Sequence, residues 1–137
     1  MQLQALPDTI ISTAPGDFFS NPQRKKDLLK AFLHAADLYN PFKPFPIAYE
    51  WAVQLQQEFD NQTRHEEQEG LPWLPFMRKQ TPEVFVSSQI GFVTTICLPY
   101  WGALARLFPS LTNVTDMLNR NLEHWALERN SPLSDHV

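Results

Sequence analysis

Apolar positions along this chain recur at helical spacing, and nothing alternates for long enough to make a convincing strand. A first helix is predicted after Asn21, with Pro22 at the first position, where its missing N–H costs nothing. It runs to about Asp37, before Asn40-Pro41 stops it, with Leu28, Leu29, Phe32, Leu33 and Ala36 as its apolar positions. The stretch Pro41-Phe42-Lys43-Pro44-Phe45-Pro46 cannot be helical throughout, because each proline pushes its predecessor towards extended geometry. A second helix starts near Pro46, and Ile47, Trp51, Leu55 and Phe59 recur every four residues as one stripe, predicted to be buried. The charged run Arg64 to Glu69 closes this helix and Gly70 ends it.

The segment from Leu71 to Met77 is apolar and punctuated by proline, which is unusual for a loop. Trp73, Phe76 and Met77 there predict a lid over a pocket or a surface packed on a partner. Thr81 as N-cap and Pro82 as first residue open a third helix, apolar on most sides and hence central, which reaches about Phe108 with a kink at Pro99. Ser110 or Thr112 starts a last helix with Val114, Met117, Leu118, Leu122 and Trp125 on one stripe, and a frayed tail follows from about residue 129. The prediction is an all-α, multi-helix chain forming one domain over residues 1–137.

Composition narrows the function. With 137 residues and 43% hydrophobic content the chain can bury a core, and a net charge of -4 argues against a binder of nucleic-acid polymers. The basic clusters, Arg24-Lys25-Lys26 and Arg78-Lys79, read as solvated surface. One cysteine, Cys97, sits in an apolar run and reads as a buried, inert thiol in a reducing compartment. No run of 18 apolar residues and no signal-peptide pattern is evident, so the expectation is a cytoplasmic protein without a membrane segment.

Asp37 is the first candidate for chemistry. It follows an apolar helix face, where an unpaired buried carboxylate is costly, and it stands at the helix C-terminus, the unfavourable end of the dipole for an anion. Both considerations ask for a nearby cation, most simply a metal. A glutamine on an otherwise apolar helix face, Gln89, likewise asks for a hydrogen-bonding partner.

The run Leu33-His34-Ala35-Ala36-Asp37-Leu38-Tyr39-Asn40-Pro41-Phe42-Lys43, followed by Trp51, Glu58-Phe59, Ser88-Gln89-Ile90-Gly91-Phe92 and Pro99, resembles the C-terminal part of the class I 3',5'-cyclic nucleotide phosphodiesterase catalytic domain. The likeness covers about residues 25–128. It implies a wholly helical domain in which Asp37 is a direct ligand of a divalent-metal centre, zinc with magnesium or manganese. Gln89 would bond the purine edge of a cyclic nucleotide, with Phe92 stacking on the base and Leu55 closing the opposite side. Pattern alone reads Phe92 and Leu55 as ordinary core. Asn40 would lie near the base, although Asn before Pro is also good turn chemistry, and both readings stand. His34, Trp51, Phe59 and Phe76 would support or wall the pocket.

The resemblance also implies departures. Thr63-Arg64 stands where relatives usually carry Gly-Asp, and Arg78 falls near a position that is usually acidic. The histidines are His34, His65, His124 and His136, none followed by Asp and none upstream of His34. The remaining metal ligands and the general-acid histidine, which the family places upstream, are therefore not among these residues. The expectation is one metal ligand and most of a purine pocket, an incomplete centre, and no catalytic residue in this chain, which would be inactive alone. The partners implied are a cyclic nucleotide and the upstream part of a catalytic domain or another chain; the competing reading is a non-catalytic interaction module or a degenerate fragment. A rotating amide serves either purine edge, and Asn40 tilts the choice between cyclic AMP and cyclic GMP towards cyclic AMP.

Overall fold

A computed structural model describes residues 20–130. Arg129 and Asn130, at the start of the predicted tail, are helical, and the tail from residue 131 onwards lies outside the described residues. Five α-helices among the described residues are α1 (Pro22–Asp37), α2 (Phe45–Gln68), α3 (Pro82–Phe92), α4 (Leu98–Leu107) and α5 (Thr112–Asn130), and no strand occurs among them. The chain is all-α. Single 3₁₀ turns at Asn40–Phe42, Pro75–Met77 and Pro109–Leu111 make the connections.

The predicted helix starts have the expected chemistry. Asn21 caps α1 by accepting the Gln23 N–H at 2.9 Å, and the Thr81 hydroxyl accepts the Val84 N–H at 3.4 Å at the head of α3. Gly70 follows α2 with φ 68°, the left-handed conformation that only glycine adopts freely. The long apolar helix expected over 82–108 is one rod in three parts, because a π-helical stretch, Val93–Cys97, joins α3 to α4. Pro99 lacks the N–H that would bond the Thr95 carbonyl. The register widens just ahead of it, with the Leu98 N–H reaching back to the Val93 carbonyl.

Two apolar clusters hold the helices together. The larger gathers Ala31 and Ala35 of α1, Phe42, Val93, Cys97, Tyr100, Trp101, Leu104 and Leu118. The smaller gathers Phe85, Val86 and Trp125, with Phe45, Tyr49, Ala52, Val53 and Ile90 packed on it. Pro82–Leu107 is long and apolar enough to cross a membrane by length and composition alone. Its Phe85, Val86, Val93, Cys97, Tyr100, Trp101 and Leu104 are buried among these clusters, while Val84 and Ile96 on its other side are exposed. Burial pushes the Cys97 thiol up to about 12, so the inert cysteine expected from its apolar run is protonated at neutral pH.

Two predicted faces are turned differently. On α1 the buried line is Leu28, Ala31 and Ala35, whereas Leu29 and Leu33 are 60% and 70% exposed. The Tyr100 hydroxyl donates to the Ala31 carbonyl at 3.0 Å, tying this face of α1 to the central rod. On α2 the stripe Ile47, Trp51, Leu55 is exposed and Phe59 half-buried, while Ala48, Tyr49 and Ala52 meet the core side. Both corrections have one cause: periodicity reports that a stripe is apolar, not which neighbour covers it.

Candidate functional site

The exposed stripe of α2 has a function in the architecture, because it walls a cleft. A cavity of about 500 Å³ opens where the two clusters meet, with Leu38 and Val93 of the larger cluster and Ala52 and Trp125 of the smaller at its base. Such a volume is within the usual range for small-molecule pockets. Besides these, five elements bring the residues that face it. The C-terminus of α1 delivers Asp37, the turn after it Asn40, and α2 supplies Trp51, Leu55 and Phe59. Phe76 comes from the 75–77 turn, and α3 supplies Gln89 and Phe92, three residues apart and so on one side of the helix.

Of the residues predicted to surround a pocket, one lies elsewhere. His34 packs its ring edge-on against Tyr100, with centroids 5.1 Å apart, and its carbonyl accepts the Leu38 N–H at 3.2 Å. It braces the end of α1 from behind the cleft rather than walling it. The structure also corrects the loop surface: Met77 is buried, Trp73 is half-buried under the Arg78 guanidinium, 5.0 Å from its ring centre, and Phe76 alone of the three is exposed.

Gln89 is half-buried, and the one hydrogen bond of its side chain within the described residues is a long donation of 3.4 Å from Nε2 to the Ser88 hydroxyl. The Ser88 hydroxyl in turn donates to the Phe85 carbonyl at 2.7 Å. The Gln89 side-chain oxygen, Oε1, therefore stays available to accept a hydrogen bond, in a cleft whose other walls are largely aromatic and aliphatic. Gln89, Phe92 and Leu55 line the same cleft, which sets one free amide oxygen among apolar side chains.

The Asp37 side chain is exposed and makes no hydrogen bond or ion pair among the described residues. The burial argument for its partner thus does not hold, since Leu29 and Leu33 beside it are exposed too. The dipole argument remains, because α1 ends at Asp37. Among the described residues no three His, Cys, Asp and Glu side chains come together as a metal shell. A divalent ion needs more donors than one carboxylate. The described residues do not by themselves fit a metal centre.

The family model for 3'5'-cyclic nucleotide phosphodiesterase matches residues 3–118. The chain belongs to this family. It is 34% identical over 119 residues to a cGMP-specific 3',5'-cGMP phosphodiesterase 3 of Dictyostelium discoideum, covering 87% of this chain and 25% of that protein. It is 36% identical over 103 residues to the 3',5'-cyclic-AMP phosphodiesterase 4C of Rattus norvegicus, covering 74% of this chain and 19% of the relative. In three dimensions it is similar to the phosphodiesterase domain of the RhoPDE fusion protein from the choanoflagellate Salpingoeca rosetta, with a TM-score of 0.79 and 31% identity, covering 94% of this chain and 40% of that domain. The chain therefore spans a quarter or less of these curated relatives and 40% of the solved phosphodiesterase domain.

The segment that carries Phe76 is tied to α2 by a set of bonds, in which Gln56 and Asp60 are residues the sequence pattern did not single out. Gln56 of α2 donates through Nε2 to the Met77 and Arg78 carbonyls, at 3.2 and 2.9 Å. Asp60 accepts the Lys79 N–H at 2.8 Å on Oδ1 and Arg64 at 2.9 Å on Oδ2. Arg78 pairs with Glu67, and Gln80 donates to the Phe76 carbonyl at 2.7 Å. The two departures noted in the phosphodiesterase pattern, Arg64 and Arg78, are thus each matched by an acid on α2. An Asp and an Arg four residues apart could have signalled the first pair; nothing in the sequence marks Gln56.

The Lys79 amide, ahead of the flanking Arg64 and Arg78 charges, holds the Asp60 carboxyl below the ordinary carboxylate range against the opposing effect of burial. A lowered folded-state value means that the bond stabilises the fold above the unfolded value, about 3.9, and that this stability is lost as pH falls through the folded one. The melting temperature of the native chain is accordingly expected to exceed that of Asp60→Asn at neutral pH, with the gap closing in acid below about pH 4. A gap of constant size across that range would show that the charge on Asp60 adds nothing to the stability.

Proposed function

We propose that the cleft binds a purine 3',5'-cyclic nucleotide and that this chain is the base-recognising portion of a cyclic nucleotide phosphodiesterase. The observation that carries the reading is the convergence of Gln89, Phe92, Leu55 and Asn40, drawn from three different elements, on one cleft together with Asp37. The base lies between the Phe92 ring and Leu55, with its edge on the Gln89 amide, which donates and accepts at once. Its ribose and cyclic phosphate extend towards Asp37. Asn40, next to the base, favours cyclic AMP. The reaction class is hydrolysis of the cyclic diester to the 5'-monophosphate, and the setting is the cytoplasm.

Asp37 gives one carboxylate to a divalent-metal centre of zinc with magnesium or manganese, and the rest of that centre comes from outside the described residues. Leu29, Leu33 and Asp37 are spaced by four, so they form one line along α1. The exposed apolar ridge thus ends at the carboxylate, and whatever covers Leu29 and Leu33 arrives beside Asp37. The occupant that fits is the remainder of a phosphodiesterase catalytic domain, since the solved relative extends well beyond the matched 40%.

Incubation of the purified chain with cyclic AMP and Mn²⁺ is expected to give no 5'-AMP. Turnover by the chain alone, lost in Asp37→Ala, would contradict the incomplete centre.

A further inference from the structure

The segment that brings Phe76 to the cleft is fastened to α2. Residues 76–80 carry Phe76 into the cleft wall, and they touch α2 through main-chain groups: the Met77 and Arg78 carbonyls on the Gln56 amide, and the Lys79 N–H on Asp60. The Phe76 carbonyl is held inside the same turn by the Gln80 amide. Asp60 is 8% exposed, and both of its oxygens are taken. Its role is therefore not that of a solvated surface charge. Phe76 itself is 62% exposed and held by little packing, so its position follows from that of the backbone beneath it.

We propose that Asp60 is a positioning residue for nucleotide binding, which acts by fixing the Lys79 amide so that the 76–80 turn presents Phe76 to the cleft. Gln56 is its second fastening point. The inference rests on the reading of the cleft as a cyclic-nucleotide site, but the fastening itself does not. A carboxylate that holds a main-chain N–H constrains where the turn sits, whereas a side-chain ion pair on a flexible stem would constrain it far less. Asp60 does not touch the nucleotide. It sets the wall against which the nucleotide packs, so its loss weakens binding without removing any contact to the ligand.

The test compares the native chain with Asp60→Ala and Asp60→Asn. Amide hydrogen exchange of residues 77–80 and the Kd for a fluorescent methylanthraniloyl cyclic AMP are measured on each, with unfolding followed to confirm that each variant is folded. Asparagine keeps an acceptor for the Lys79 N–H and alanine does not. Asp60→Ala is expected to speed exchange at 77–80 and to raise Kd by about two- to tenfold, the size of losing one pre-organised aromatic contact. Asp60→Asn is expected to restore most of both. Fast exchange with an unchanged Kd would overturn the positioning role, and so would an Asp60→Ala variant that keeps both its protection and its affinity. Protected 77–80 amides in a native chain that binds no cyclic nucleotide would instead contradict the reading of the cleft and leave the fastening by Asp60 intact.

Discussion

Trp125→Ala is expected to lower the unfolding free energy by about 3–5 kcal/mol, the usual cost of truncating a buried large aromatic side chain to alanine. Trp125 is 2% exposed at the centre of the smaller cluster. Its ring meets Phe45 at 5.1 Å and Phe85 at 5.9 Å edge-on, and stacks on Tyr49 at 5.3 Å. These contacts join the start of α2, α3 and α5, so the cavity left behind has no single neighbour able to fill it. Small folded domains are stable by only about 5–15 kcal/mol, and a loss of this size takes much of that. Because Trp125 also lines the cleft, the site should be lost together with the fold. Urea denaturation monitored by circular dichroism would show the midpoint falling sharply with the slope kept; a loss below about 1 kcal/mol would mean that the cluster does not hold these helices together.

The second large effect is expected at Asn121, on the buried face of α5. Its side-chain amide donates to the Pro41 carbonyl at 2.7 Å and to the Lys43 carbonyl at 2.8 Å, and the residue is 2% exposed. Both carbonyls belong to the connector between α1 and α2, whose single 3₁₀ turn is too short to satisfy them. Asn121→Leu keeps the volume and removes both donors, at about 1–3 kcal/mol for each carbonyl left buried and unpaired. The connector carries Asn40 to the cleft, so nucleotide affinity should fall with stability. Denaturation and nucleotide titration of this variant check the two consequences separately. Unchanged stability would show that water serves those carbonyls equally well.

Both residues show where the sequence was informative and where it was not. Trp125 was legible, because it closes a stripe of Val114, Leu118 and Leu122 at helical spacing. Asn121 lies on that same buried face, one turn before Trp125 and three residues after Leu118, and a polar residue there carries a signal of its own. What it bonds to could not be read, since its partners are main-chain carbonyls some 80 positions away. Helix starts were legible for the same local reason as their caps: Asn21 and Thr81 act on neighbours two to three residues ahead.

Burial was less legible. The spacing of Leu29 and Leu33, or of Ile47, Trp51 and Leu55, is what a core face would show, yet these side chains are exposed and the latter two wall the cleft. Alanines at 31 and 35, which hardly register as hydrophobic, are the residues α1 buries in the larger cluster. The residues that surround the cleft were reached through their resemblance to a phosphodiesterase pattern. The fastening by Gln56 and Asp60 was not, because it joins side chains of one helix to main-chain atoms of a distant turn.

The measurement closest to the central claim is a titration of the chain with cyclic AMP and cyclic GMP, followed by tryptophan fluorescence, since Trp51 stands half-exposed in the cleft wall. Saturable binding of cyclic nucleotide is expected, with Gln89→Ala raising Kd by about tenfold or more, the loss of roughly 1.4 kcal/mol of hydrogen bonding to the purine edge. Binding that Gln89→Ala leaves unchanged, or no binding by a folded native chain, would contradict it.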